Sequence, residues 1–304
     1  MNSEFQPQYS YMNKLILPST PPRVPPLAPE AVNAYVKSEY DKSVNTWGIP
    51  NNLIRTMGWL PRLALTEVDY ANSFIFDSGT YSLWPRPGDP KGTPVLFPEA
   101  GFVDRVTKEL VINVVSLLNR SRYSITHHSL IGYNTLATQL PEGDASAKAR
   151  KAEEMLLHLV NSNGEPAFEG REFYTAFQLH ALRLAVKLRE DAHRVTDEDF
   201  KQLRTLMKEE ALKAFQHDPL KEAFSAVGEP YLAAYVNAMI VELTWCIVHF
   251  SGLLNKWFTV LQIMDETSVE VDGIDFVAAY NATVPESIRT RNNNLLVSDG
   301  WGRK

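Results

Sequence analysis

Cysteine is nearly absent from this 304-residue chain; the only one is Cys246, inside the apolar run VELTWCIVHF. A lone cysteine closes no internal disulfide and cannot supply a C-x-x-C redox or zinc motif, so Cys246 is expected to be a small buried hydrophobe. No run of Lys and Arg occurs, and the formal net charge is −6. That balance gives no electrostatic reason to bind nucleic acid or an anionic membrane. The first thirty residues lack the charged and apolar regions of a secretory signal, and no stretch reaches about eighteen uninterrupted apolar residues. No membrane span is therefore expected, a cytoplasmic location is, and the sequons NRS and NAT carry little meaning. Alternating strand patterns and a glycine-rich phosphate loop are missing as well.

What is present suits an ordinary globular protein: 44% hydrophobic and 22% charged residues in a chain long enough for a sizeable core. Residues 1–45 form a proline-rich arm, with PSTPPRVPPLAP favouring an extended polyproline-type path over the surface. WPRPGDPKGTPVLFPE, from Trp84 to Glu99, is expected to be a long loop, a lid or an interface segment. Residues 267–304 are polar and are expected to pack little or to reach a neighbouring subunit. Between the flanks, over 46–266, the pattern is helical, so the expected fold class is all-α. Thr66 with Asp69 resembles a capping box, and Thr196 precedes three carboxylates in a first turn. FVDRVTKELVINVVSLLN carries Val103, Val106, Leu110, Val114 and Leu117 on one helical face. The long apolar stretch from Tyr231 onward is broken at Ser251-Gly252 and suggests two buried helices. Trp59, Tyr70, Phe74 and Phe76 recur at roughly helical spacing and are expected in the core.

The unusual stretch is NRSRYSITHHSL, where an apolar helix runs into a polar cluster. Glu109 lies twelve residues before Ser121, a third of a turn off a common face. The chain must therefore bend near Arg120 for the cluster to meet it. Ser121, Ser124 and His128 are spaced i, i+3, i+7 and share one face of a second helix. A carboxylate, an imidazole and two hydroxyls in one place can move protons at neutral pH. Ser121 and Ser124 could equally cap helix ends. His127 points about 100° away from His128 on a helix and could join the site or simply pack. A metal site built from His127, His128 and a further histidine such as His180 or His249, with Glu109, is an alternative. No E-x-x-H or H-x-x-x-H spacing supports it. A serine nucleophile lacks the G-x-S-x-G elbow.

ELVINVVSLLNRSRYSITHH resembles the hallmark of the alkylhydroperoxidase D-like superfamily, which includes carboxymuconolactone decarboxylases: E-L-x(10)-C-x-x-C-x-x-x-H. Glu109, Leu110, Ser121, Ser124 and His128 stand in that register, with Tyr123 where an aromatic or histidine is common. GIPNNLIRTMGWLPRLA, ALRLAVKLREDAHRVTDEDFKQLR and AMIVELTWCIVHFSGLLNKW are similar to other helices of the family, so the resemblance spans about 46–264. Both cysteine positions are serine here, and serine does not cycle through sulfenic acid and disulfide. The resemblance thus implies the branch that works by proton transfer, not the thiol peroxidase branch. It implies an enzyme with no cofactor and no metal, a lyase or isomerase acting on a small organic acid, lactone or related carbonyl compound. His128, Glu109 and His127 are the implied catalytic residues, and Ser121, Ser124 and Tyr123 contact the substrate. It also implies a homo-oligomer, trimer or hexamer, for which the N-terminal arm would suit a clasp. A non-catalytic binding or assembly protein that kept the fold is the other alternative.

Overall fold

The structure is a computed structural model. It describes residues 22–41, 51–67, 80–84, 95–98, 101–263, 265–266 and 276–298, apart from 35, 39, 65, 142, 218 and 219 within those stretches.

At its centre is helix α2 (Arg105–Leu118), preceded by α1 (Asn52–Met57). Asp104 caps α2 by accepting from the Thr107 N–H, and every residue from Val106 to Leu118 is buried. Its apolar side is therefore not one stripe, as the spacing suggests; the helix is enclosed all round, charged residues included. Arg120 follows at φ 51°, a left-handed turn that ends α2. The chain then reverses into α3 (Arg122–Gln139), which packs along α2. This is the bend that the spacing of Glu109 and Ser121 requires.

Around this pair lie α4 (Ala145–Leu157), α5 (Ala176–Glu190), α6 (Asp197–Ala214) and α7 (Leu220–Val227). Thr196 caps α6 as the sequence suggests, in a full capping box with Asp199; Asp144 caps α4, and a second capping box, Thr175/Gln178, starts α5. Thr66 is not a cap; its hydroxyl donates back to the Arg62 carbonyl at 2.7 Å, and Asp69 lies outside the described residues. Tyr70, Phe74 and Phe76 also lie outside, while Trp59, expected in the core, is 57% exposed.

The long apolar stretch is not broken at Ser251-Gly252. Helix α8 (Glu229–Val248) passes through a π-helical turn, His249–Leu254, into α9 (Asn255–Leu261). The wide turn absorbs one extra residue, with the Asn255 N–H donating to the Phe250 carbonyl. The Ser251 carbonyl accepts from Asn119 Nδ2 at 2.9 Å. By length and composition this 33-residue helix could cross a membrane, yet half of its apolar window is buried inside the protein.

Two expectations are corrected. First, the 84–99 region is not all loop: β1 (Thr80–Trp84) pairs antiparallel with β2 (Val95–Pro98), Tyr81 opposite Phe97, with an irregularity between Ser82 and Trp84. Thr, Tyr, Trp, Val and Phe are strand formers, which favours this small hairpin in an otherwise all-α protein. The proline-rich residues 85–94 lie outside the described residues. Second, the described part of the polar C-terminal region, residues 276–298, does not pack loosely. Helices α10 (Phe276–Thr283) and α11 (Glu286–Ser298) dock on α3 and α4, burying Tyr280, Ile288 and Leu295 completely. Polar residues share in the docking beside these apolar ones, which is why the sequence conceals it. Arg291 Nη1 donates to the carbonyls of Leu156 and Leu157 at the end of α4 and of Val160 just beyond it, and Asn292 Nδ2 donates to Ser129 and Tyr280. Of the proline arm, residues 22–28 run over the surface: Arg23 N–H bonds the Leu261 carbonyl, Leu27 N–H the Arg55 carbonyl, and Trp59 Nε1 the Pro25 carbonyl. Residues 1–21 lie outside the described residues, and further along the arm Val36 and Tyr40 are helical and buried in the core instead of extended.

Candidate active site

Because α2 and α3 run antiparallel, residues at regular spacing face each other like teeth of a zip. Ser124 meets Ser116, and His128 and Gly132 meet Glu109 and Asn113. Glu109 is wholly buried. Its Oε1 accepts from Arg105 Nη2 at 2.5 Å and its Oε2 lies 3.0 Å from His128 Nδ1. Burial pushes this carboxyl upward, but the charges of Arg105 and His128 and their hydrogen bonds outweigh it and hold it below its ordinary value. An ionised carboxylate only accepts, so His128 Nδ1 carries the proton. Nε2 of His128 then has no hydrogen-bond partner among the described residues, on a side chain 12% exposed. The ring meets Phe250, carried by the π-helical turn, edge to face at 4.8 Å.

Asn113 braces this pair. Its Nδ2 donates to the carbonyl of Glu109 at 2.9 Å and to that of His128 at 2.8 Å, tying the two backbones together. Gly132, one turn after His128, makes the close approach possible: a Cβ there would fall 2.6 Å from Asn113 Nδ2. Beneath lies a second buried pair, Lys108 Nζ to Glu242 Oε1 at 2.5 Å, with Glu242 Oε2 accepting from the Phe102 N–H. Burial raises the Glu242 carboxyl despite the lysine. Cys246 is fully buried, and burial pushes its thiol up to about 12, so it stays protonated.

The structure does not bring every sequence-derived candidate to Glu109 and His128. Ser124 is buried and its hydroxyl shares a 2.7 Å bond with Ser116, whose own hydroxyl donates to the Ile112 carbonyl. Ser121 occupies the N-cap position of α3 without capping it, and its buried hydroxyl has no partner among the described residues. Tyr123 and His127 belong to a separate network. His127 Nε2 is 2.8 Å from Glu266 Oε2, and Nδ1 is 2.8 Å from the Tyr123 carbonyl. Both partners are acceptors, so both ring nitrogens donate and the ring is a cation. Burial opposes that charge, but Glu266 and Asp265 overcome it and push His127 up to about 10. The ring is sandwiched between Tyr123 and Phe276, each 3.9 Å away, a favourable place for a cation. Tyr123 Oη donates to Glu266 at 2.8 Å, Glu266 also accepts from the Asn52 N–H, and Asp265 pairs with Arg122.

The two adjacent histidines therefore face different carboxylates and do not converge as metal ligands. Among the described residues no group of three or more His, Cys, Asp or Glu side chains is arranged to hold a metal ion. His180 bonds the Asp199 carbonyl. His249 pairs with Glu67 at 3.0 Å and meets the same Phe250 ring as His128, at 5.5 Å. Sequence reasoning missed Arg105, Asn113, Gly132, Glu242, Asp265 and Glu266. Arg105 carried a usable signal, one turn before Glu109; the acids at 265 and 266 lie far along the chain and carried none.

No described protein family and no curated protein matches the sequence. Among the solved structures similar to it are two peroxidase-related proteins. One is an uncharacterized peroxidase-related protein of the alkylhydroperoxidase AhpD core from Ralstonia eutropha JMP134. It is 14% identical, with a TM-score of 0.48 over 82% of this chain and 95% of that one. The other is an uncharacterized peroxidase-related protein from Silicibacter sp. TM1040, 12% identical, with a TM-score of 0.44 over 82% and 96% of the two chains.

Proposed function

We propose that the chain is a divergent alkylhydroperoxidase D-like protein and a cofactor-independent acid–base enzyme, with Glu109 and His128 as its working pair. The substrate class is a small organic acid, lactone or related carbonyl compound, and the chemistry is decarboxylation, isomerisation or elimination. One observation carries the reading: His128 presents an Nε2 with no hydrogen-bond partner among the described residues, while its Nδ1 is held 3.0 Å from a buried carboxylate. In the neutral ring Nε2 is the basic atom, placed to take a proton from a carbon beside a carbonyl. Glu109 would stabilise the imidazolium that results, and Arg105 keeps Glu109 charged. The same Nε2–H then returns a proton to carbon, so one dyad serves both halves of an isomerisation or the protonation that follows loss of carbon dioxide. Neither Ser124 nor Tyr123 stabilises an enolate in this scheme, because both hydroxyls are engaged elsewhere. His127, a fixed cation, is a structural group in it.

The test works before the substrate is identified. Nuclear magnetic resonance in deuterated water reads exchange of the C–H beside the carbonyl across a panel of keto acids, β-keto acids and unsaturated lactones. Exchange or turnover of at least one compound is expected, with His128→Ala and Glu109→Gln each lowering it by about 10²–10⁴-fold and retaining the helical circular-dichroism signal. A panel with no exchange at all, or equal rates in both variants, would overturn the proposal.

A further inference from the structure

Where the end of α2, the start of α3 and the start of α9 meet, the buried side chains are small and polar. Ser116, Ser121, Ser124 and Asn255 are fully enclosed there, and Ser251 of the π-helical turn is 4% exposed. A buried polar group needs a partner, so each proton and lone pair in this joint can be followed. The Ser116 hydroxyl has one proton and donates it to the Ile112 carbonyl at 2.7 Å. In its 2.7 Å bond with Ser124 it therefore accepts, and Ser124 donates. Asn255 Nδ2, 3.4 Å away, donates to the same Ser116 oxygen. Ser116 is then saturated.

Three capacities remain around it. Ser121 Oγ and Asn255 Oδ1 are buried and have no hydrogen-bond partner among the described residues. Ser124 Oγ spends its proton on Ser116 and keeps its lone pairs. The Ser121 N–H bonds the Ser116 carbonyl at 3.1 Å, and Ser121 stands three residues before Ser124, on the same face of α3. As the N-cap residue, Ser121 would ordinarily accept from the first-turn N–H groups, but it does not cap them. Its hydroxyl is left for another partner.

We infer that one water molecule is built into this joint. It accepts from the Ser121 hydroxyl and donates to Asn255 Oδ1 and Ser124 Oγ, three bonds, the number a buried water ordinarily makes. An anion would meet the Asn255 and Ser124 oxygens, which have no proton to offer it. A cation would meet the positive end of α3. A small neutral molecule with two protons and a lone pair satisfies all three groups. The water ties α3 to α9 at the residue whose N–H closes the π-helical turn on the Phe250 carbonyl. The bridge belongs to the fold and does not depend on the proposed reaction.

An atomic-resolution crystal structure of the full chain should show one ordered water within hydrogen-bond distance of Ser121 Oγ, Ser124 Oγ and Asn255 Oδ1. Urea unfolding of Ser121→Ala, Asn255→Leu and the double variant tests the same bridge in solution. With a shared water, each single substitution lowers the midpoint. The double variant then loses less than the sum of the two, because the second change removes a partner from a bridge already broken. In a dry joint each substitution removes a stranded polar group, so the midpoint holds or rises. No density between the three atoms, an ion in that place, or a direct bond between Ser121 and Asn255 would overturn the inference. So would an unchanged or raised midpoint, or losses that simply add. If a variant does not fold, the crystal structure of the native protein decides the matter.

Discussion

At the residue scale, two adjacent histidines of the same helix have opposite fates because of what lies across from each. His128 meets one carboxylate through one nitrogen, and the other has no hydrogen-bond partner among the described residues; His127 donates from both nitrogens and is locked between two rings. A free nitrogen can move a proton, and a saturated cation cannot. The same reasoning applies to the lone thiol. A thiolate is the reactive form, and Cys246, buried and pushed up to about 12, does not supply it at neutral pH. Peroxide consumption with a dithiol reductant should therefore read background, and Cys246→Ser should leave it there. Robust turnover that disappears in this variant would show that the thiol is used.

At the element scale, α2 and α3 form an antiparallel pair whose polar teeth interlock. Its geometry depends on the left-handed turn at Arg120 and on the absent side chain of Gly132. The C-terminal helices depend on polar pegs. Arg291 is fully enclosed, and burial pulls its guanidinium down to about 10, so it is still charged at neutral pH. It satisfies two carbonyls that the end of α4 leaves without intrahelical partners, Leu156 and Leu157, and that of Val160 just beyond the helix. Arg291→Met fills much of the volume but strands those carbonyls. It should lower unfolding stability by about 2–5 kcal/mol, read from the urea midpoint with an unchanged denaturant slope. A midpoint equal to that of the native protein would mean the helices are held by their apolar face alone.

At the scale of the whole molecule, the buried charges set a pH window. Glu109 and Asp265 are held below their ordinary values, so their contribution is present above the usual carboxylate range and is lost as pH falls through the lowered values. His127 is raised, so its contribution is complete below about 6.5 and is lost as pH climbs toward its value of about 10. Glu242, raised by burial, works against stability as pH rises. The melting temperature should thus fall between about pH 6.5 and 10. His127→Gln, compared with the native protein over that range, isolates the histidine: its curve should be lower at pH 6.5 and flatter above. Parallel curves would show that His127 is not charged in the fold.

Much of this was legible in the sequence. Helical spacing and capping residues such as Thr196 act within one or two turns, so the all-α class and the start of α6 follow from local rules. The placement of Glu109 and His128 toward one point followed from periodicity plus one necessary bend. What stayed hidden is whatever depends on residues far apart in the chain. Glu266 claims His127 and Tyr123 across more than 130 positions, and no local pattern announces such a partner. The RTRNNN segment looks like a solvated tail because its side chains are polar. It is buried because carbonyls at the end of α4 and a serine and a tyrosine elsewhere satisfy it. Ser251-Gly252 looks like a helix break, since both residues have low helix propensity, yet packing against Asn119 carries the chain through as a wider turn. Local propensity fixes which residues can form an element, whereas burial decides which of their polar groups find partners, and that second decision belongs to the tertiary structure alone.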